Sequence, residues 1–582
     1  MVGGVAFQPF RGFDVLLSLT LIVPCLLLAA AGILMIGGET PRFTRAKAAA
    51  YPVGLAFLGA IGALTLVTSQ GPITVRFYDP ASAASFIIPI GFYVDRLSAV
   101  MMTLITGVST IIYCYSTTYM YQDRHARRYL MLICLTDFVL ICMVSSGNLM
   151  MLFLFWQILS YLLYLLAHNH IHPGTLAGAF KTFTLLRVAD TAFLAGIVLA
   201  YQLYGTLEFH ELFAKAAATP MTLSILPGMD VSATTMVTLL LFIGAMGKSA
   251  QFPLHLWLPG SLFAPTPVHA LLHAGIINAG GFLINRLAPL FGMSSTTLHI
   301  AFLIGTLTAA LGATMMLVQN DIKKTLGFST IGQMGYMIME CGLGAFSLAV
   351  FHLIAHGLFK ATVFLNCSSV IHKARQEPHF PRTDAENDHV GFSRLAWSTG
   401  FITTLFIPFL ILLVTHGILR IPLLESQGAV IILFFIWITS SQAILTLTRL
   451  HAVASWKVST IMLLTLLFIV FVYLFAVESF TAFLYPNPEE VASYFKAADL
   501  PDWLFDLIVV MAALMTILGW TYLYMHAHGR TVWMPAWFHG LRIRLYTVFL
   551  NRIYADEFYQ LVGSMIVKLV HRIDKLDRGW SR

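Results

Sequence analysis

Gly247-Lys248-Ser249-Ala250-Gln251-Phe252-Pro253-Leu254-His255-Leu256-Trp257-Leu258-Pro259 interrupts an apolar run that begins near residue 234. Proline lacks the backbone donor and clashes with the preceding turn, so a helix entering this stretch must break. The break carries a lysine, which is expensive if the run lies in a bilayer. Composition puts it there. Hydrophobic residues are 58% of the 582 and charged residues 10%, where soluble proteins carry roughly 25% charged. Mean hydropathy is +0.81. With 34 Lys+Arg and 27 Asp+Glu, the chain cannot coat a soluble surface of this size. A soluble enzyme, a secreted disulfide scaffold and a disordered chain are excluded.

Outward from the break, apolar blocks fall near 14–37, 50–70, 95–120, 129–146, 148–167, 178–204, 234–258, 266–290, 297–318, 322–342, 345–371, 395–424, 428–450, 457–477 and 503–527. Each approaches the roughly 20 residues that cross a bilayer. The expected fold class is an all-α polytopic membrane protein of about 15 transmembrane helices. The first block follows Arg11, is too long for a signal-peptide core and reads as the first span. Lysine and arginine cluster after odd-numbered spans (Arg42, Arg45, Lys47; Arg124, Arg127, Arg128; Lys323, Lys324; Lys373, Arg375, Arg382). Acids collect after even-numbered ones (Glu208, Glu211, Asp230; Glu489, Glu490, Asp499). The positive-inside rule then places the N-terminus outside and the C-terminus in the cytoplasm. It also accounts for the net charge of +7 without nucleic acid as a partner. The six cysteines form no CxxC and read as small core residues, not disulfides or iron–sulfur ligands.

A second block is interrupted at Pro408 and Thr415-His416-Gly417. Matched breaks in two five-span groups are the mark of an inverted-repeat transporter. Residues 1–128 then hold helices 1–3, and 453–529 the last transmembrane spans. Residues 530–582 alternate charged with apolar residues, as an amphipathic cytoplasmic tail would, on the membrane surface or against a partner.

The polar residues at membrane depth carry the functional reading. His352, His356 and Lys360 follow i, i+4, i+8 spacing and share one helical face. Histidine titrates near neutral pH, and a lysine out of water can release its proton, so the stripe suits a proton relay. Satisfied core histidines are the plainer reading. A metal site would need a third ligand that the neighbouring sequence does not supply. His269 and His273 repeat the spacing after the break. Lys248 either holds a proton or caps carbonyls of the broken helix. Lys181, Arg187 and Asp190 share one span, where Asp190 can pair with Arg187; a structural pair and a transport role both fit. Asp137, in mid-span, needs a partner.

The stretch 247–259, with Pro265-Thr266-Pro267-Val268 and Leu272-His273-Ala274, resembles the proton-conducting membrane transporter family. That family includes the antiporter-like subunits of respiratory complex I and the large subunits of Mrp sodium/proton antiporters. Further similar segments are Arg187-Val188-Ala189-Asp190, Asp321-Ile322-Lys323-Lys324-Thr325-Leu326, Gln333-Met334-Gly335-Tyr336, Phe351-His352 to Lys360 and Leu550 to Tyr559. The resemblance covers most of the chain. It implies two inverted five-helix repeats, the first over residues 129–290 (helices 4–8) and the second over 291–452 (helices 9–13), a lysine of the first half-channel at Lys248 with His273 behind it, and a central lysine at Lys360.

The departures are informative. The family pattern has glutamate after the tryptophan of the fifth span; here Gln157 follows Trp156. In the second broken span the expected lysine is missing, with His416 or Arg420 nearby. The long lateral helix of complex I subunits is not expected after Tyr559. The segment His273 to Phe282 resembles the DabB family, membrane subunits of bacterial inorganic carbon (bicarbonate) accumulators. That likeness implies a DabA-like partner, a large cytoplasmic subunit with a zinc site like that of β-carbonic anhydrases. Cation flow, protons or sodium, would drive carbon dioxide hydration there. The chain itself would be no enzyme and hold no cofactor or metal. It would sit in the bacterial inner membrane. The alternative is a pumping or antiporter subunit of a complex I-like or Mrp-like assembly; a scaffold with a dead channel is the third reading.

Overall fold

Among the described residues, most apolar blocks fold into helices close to the lengths that hydropathy sets. The computed structural model describes residues 15–36, 42–78, 90–121, 123, 125–167, 173–226, 229–260, 265–376, 475–507, 536–562 and a few single positions between 510 and 568. The second interrupted block, with His416 and Arg420, and the spans at 428–450 and 457–474 lie outside the described residues.

Helices α1 (Val15–Met35), α2 (Arg42–Gln70), α3 (Arg96–Tyr119), α4 (Ala126–Val144), α5 (Leu149–Ala167) and α6 (Pro173–Tyr204) run up and down. Helix α7 (Phe209–Ala218) is short, and α8 (Ala233–Lys248) stops at the break. After it come α9 (Trp257–Gly260), α10 (Thr266–Ala274), α11 (Ala279–Arg286), α12 (Ala288–Phe291), α13 (Ser295–Val318), α14 (Ile322–Gly342) and α15 (Phe346–Gln376). Several starts carry the caps that their residue types favour. Asp95 accepts from Ser98 N at 2.9 Å, Ser294 from Thr297 N at 3.4 Å and Asp321 from Lys324 N at 2.9 Å. Among the described residues, seven helices are long and apolar enough to cross a membrane. Their outward faces carry Leu58, Ile111, Leu154, Leu317 and Phe359, the surface lipid requires. Cys134, Cys142 and Cys341 are core residues as expected, whereas Cys25 and Cys114 face outward; all six are free thiols.

Hydropathy missed two kinds of element. Two hairpins, β1 (Ile73–Tyr78) with β2 (Ile90–Val94) and β3 (Thr222–Leu226) with β4 (Met229–Ser232), join amphipathic α7 in the connections between spans. The eighth block is also broken, at Gly275, where a 3-10 turn (Ile276–Asn278) separates α10 from α11. This whole segment, Thr266–Arg286, is buried and packs on α3 and α15, forming the axis of the bundle.

Helices α13 and α14 make the tightest contact. A Cβ on Gly305, Gly312 or Gly335 would lie 2.4 Å from a backbone nitrogen of the other helix. Small residues let backbones approach where lipid removes the hydrophobic drive for association. Gly335→Ala is therefore expected to cost about 1–3 kcal/mol by overpacking. Gly32→Ala, with open space around it, is the silent control. Thermal unfolding in detergent reads both.

Candidate functional site: two buried polar clusters

Lys248 is the last residue of α8 and is fully buried. Its Nζ donates to the Trp156 carbonyl at 3.0 Å and to the Ser160 hydroxyl, and sits 5.1 Å from the centre of the Trp156 ring. A desolvated cation over indole gains roughly 2 kcal/mol. The end of its own helix is capped otherwise: Trp257 Nε1 donates to the Gly247 carbonyl at 2.8 Å. Of the two sequence readings, carbonyl capping by Lys248 is thus filled by Trp257.

Beside Gln157, where the family pattern has a carboxylate, stands Asp190. Trp156 Nε1 donates to Asp190 Oδ1 at 2.7 Å, and Arg187 stands 2.8 Å from Asp190 Oδ2. Among the described residues, Asp190 is the carboxylate whose charge acts on Lys248. The Gln157 amide approaches Asp190 while its Oε1 is buried and unpartnered. Asp137 does not join this group: Ser109 Oγ donates to it at 2.6 Å and its other oxygen has no hydrogen-bond partner. Lys181, grouped with Arg187 and Asp190 by sequence, pairs instead with Asp556 of the tail.

The second cluster lies between α10, α14 and α15. The His273 ring stacks on Phe364 at 4.4 Å and 7°, and His269 stacks on the same ring at 5.8 Å. Neither nitrogen of His273 or of His356 has a hydrogen-bond partner. The His352 and His356 rings are 6.3 Å apart. Lys360, 1% exposed, donates to Ser329 Oγ at 2.9 Å and to the Leu326 carbonyl at 3.4 Å. Gly357 lets α15 approach the α10 break: a Cβ there would stand 3.1 Å from the Ala274 carbonyl. The two clusters meet at the breaks, where Ser249 Oγ donates to the Ile277 carbonyl at 2.9 Å. Lys324 stands in the first turn of α14 beside its cap and joins neither cluster through a contact shown here.

Glu340 was not anticipated. Its two carboxylate oxygens lie 3.1 Å from His352 Nδ1, and Gln333 Oε1 lies 2.9 Å from Nε2. Acceptors on both ring nitrogens favour an imidazolium. The signal was present, since Glu340 is the sole acid between residues 322 and 342. Ser160, Ser329 and Trp156 were not read as site residues because hydroxyl and indole groups are common in spans. Among the described residues, no three His, Cys, Asp or Glu side chains converge to hold a metal ion.

Residues 146–446 match the family described as NADH:quinone oxidoreductase/Mrp antiporter, TM, and residues 81–130 match the N-terminus of complex I chain 5. The chain is 38% identical over 523 residues to the probable inorganic carbon transporter subunit DabB1 of Halothiobacillus neapolitanus, covering 88% of this chain and 93% of that one. It is 40% identical over 288 residues to NADH-quinone oxidoreductase subunit L of Neisseria meningitidis, covering 48% of this chain but only 43% of that relative. The Mrp complex of Dietzia shows the same fold at 20% identity, with TM-score 0.51 over 60% of this chain and 64% of that one. The chain therefore belongs to the antiporter-like membrane subunit family of complex I and Mrp antiporters, and within it is a homologue of the inorganic carbon transporter subunit DabB1.

Proposed function

We propose that the chain is the cation-translocating membrane subunit of an inorganic carbon accumulator, and that protons move through its two buried clusters. The observation that carries this reading is the placement of Lys248 and Lys360 out of water, each on neutral oxygens, with His273 and His356, whose ring nitrogens have no hydrogen-bond partner, in the cluster of Lys360. Charges so placed are costly and mark ion pathways. A proton can rest on Lys248 against the Asp190 charge, pass the paired breaks to His273 and His269, and continue by Lys360 and His356 to His352. Glu340 would hold the imidazolium of His352 at the far end.

Support for carbon accumulation comes from the relative matched over nearly its whole length, which is named as an inorganic carbon transporter subunit. In this reading a DabA-like cytoplasmic partner holds the zinc and hydrates carbon dioxide, and ion flow through this chain makes that step one-way. The reading includes 15 spans, inverted repeats over helices 4–8 and 9–13, the domain limits given above, an outside N-terminus and residence in the inner membrane. His416 and Arg420 would serve the second repeat.

The test is inorganic carbon uptake in a host lacking its own uptake systems. The chain together with the zinc-motif partner is expected to restore uptake. Omission of the partner and addition of a protonophore should each abolish it. Uptake without the partner, or cation/proton exchange in vesicles without any carbon dependence, would instead indicate an Mrp-like antiporter.

A further inference from the structure

His255 sits seven residues past Lys248 in the broken segment and is 1% exposed, with both ring nitrogens lacking a hydrogen bond. It plays no part in the path above. Its surroundings are partly local and partly from distant chain. Phe252 packs at 5.7 Å, and Thr182 Oγ1 of α6 lies 3.3 Å from the Trp257 carbonyl next to it. The charges of Asp556 and Lys181 reach it.

Asp556 belongs to the segment after the helix Ala536–Leu550. It pairs with Lys181 and with Arg552, the latter at 2.9 Å. Three residues on, the Tyr559 hydroxyl donates to the Pro253 carbonyl at 2.8 Å. That carbonyl is near enough to act on His255 but not in hydrogen-bonding geometry with it. The turn leading to these contacts is strained: Arg552, Ile553 and Tyr554 have φ of 55°, 60° and 52°. Left-handed backbone costs roughly 1–2 kcal/mol per non-glycine residue. A turn of this kind, with a β-branched residue inside it, persists only where its surroundings hold it. Here the surroundings are two tail side chains bound to the membrane bundle.

We propose that His255 is the access residue of the Lys248 cluster on the tail side, and that residues 552–559 form a strained latch over it, caught by the Asp556–Lys181 pair and by Tyr559. Release of the latch relaxes the turn, admits water to His255 and frees the Pro253 carbonyl to accept from its ring. A proton can then load His255 and move inward toward Lys248. Closure seals the cluster again. Because the tail follows the last described helix, a subunit binding there has a direct means of opening or closing ion access. This inference rests on the translocation reading above.

The experiment places cysteine at His255 in the full chain in membranes with its partner. It follows modification by a membrane-impermeant thiosulfonate from each side, quantified on the labelled peptide. The closed latch should protect the site. Asp556→Asn and Lys181→Met should each raise the rate by about tenfold, and the double variant no further, because the two act as one pair. Tyr559→Phe should give a smaller rise. Thr182→Cys, in the same recess, is the second probe if His255→Cys does not fold. Equal labelling in the native-latch protein and all variants would overturn the proposal. Carbon uptake measured in matched membranes that carry the chain with His255 intact, with and without the latch substitutions, separates the two ideas. Latch-dependent labelling without any uptake would sink translocation and keep the latch; normal uptake with flat labelling would sink the latch alone.

Discussion

Replacing Lys248 by methionine is expected to lower carbon uptake by about a hundredfold, the lower end of the loss when a positioned proton-transfer group is removed. Methionine fills the volume but cannot carry charge, and it removes the lysine donor from the Trp156 carbonyl and the Ser160 hydroxyl, leaving that carbonyl with Ser160 Oγ at 3.2 Å. Asp190→Asn tests the same unit from the other side. Asparagine can still accept from Trp156 Nε1, so the packing of Trp156 on Phe193 survives while the counter-charge is lost. Its uptake should fall substantially at normal protein level. Gln157→Glu, which restores the family residue, should not improve uptake. A second carboxylate beside Asp190 would force the two to share a proton. Normal uptake by Lys248→Met would remove this lysine from the path and favour the scaffold reading.

The second large effect is structural. Arg286 ends α11 and is nearly buried. Its Nη1 and Nη2 bind Asp95 Oδ2 and Oδ1 at 2.8 and 3.0 Å, and Nη2 also donates to Ser98 Oγ at 2.5 Å. Aromatic rings of Tyr93, Phe282 and Phe209 surround the guanidinium at 5.4–5.8 Å. Asp95→Ala strands this charge, a loss of roughly 3–5 kcal/mol. It also deletes the cap of α3, worth about 1 kcal/mol. Asp95→Asn keeps the cap and should fall between. Burial would push the Asp95 carboxyl up, but the Arg286 charge and the hydrogen bonds to it prevail and hold it below its ordinary value. Its contribution is therefore fully present above about pH 4, the unfolded carboxylate value, and is lost as pH falls through the lower folded value. Thermal unfolding in detergent should be insensitive to this pair from pH 5 to 8. It should lose stability below pH 4, and Asp95→Asn should flatten that acid limb. An Asp95→Ala protein as stable as the parent would refute the clamp.

Helix positions were legible because a bilayer sorts residues by length and polarity alone. The block at 148–167 emerges as Leu149–Ala167, and the block at 297–318 as Ser295–Val318. The break at Gly275 was not legible, since Gly275-Ile276-Ile277-Asn278 contains no proline and its apolar residues continue the run. The turn there exists because Ser249 takes the Ile277 carbonyl and Gly357 admits α15. Gly344 shows the same limit: its φ of 76° and its approach to Tyr494 depend on the helix Pro488–Ala498, far along the chain.

The candidate site divides in the same way. Sequence alone determined the membrane class, the positions of most described helices, the first break and a short inventory of polar residues at depth, because each such residue stands out against apolar surroundings. Periodicity could place His352, His356 and Lys360 on one face, since that relation lies within one helix. Only the tertiary structure decided which groups meet. It brought Asp190 to Lys248 through Trp156, Glu340 to His352, and Asp556 to Lys181 across 375 residues. Those pairings are set by how helices cross and where their backbones can approach, and one-dimensional spacing carries no record of either.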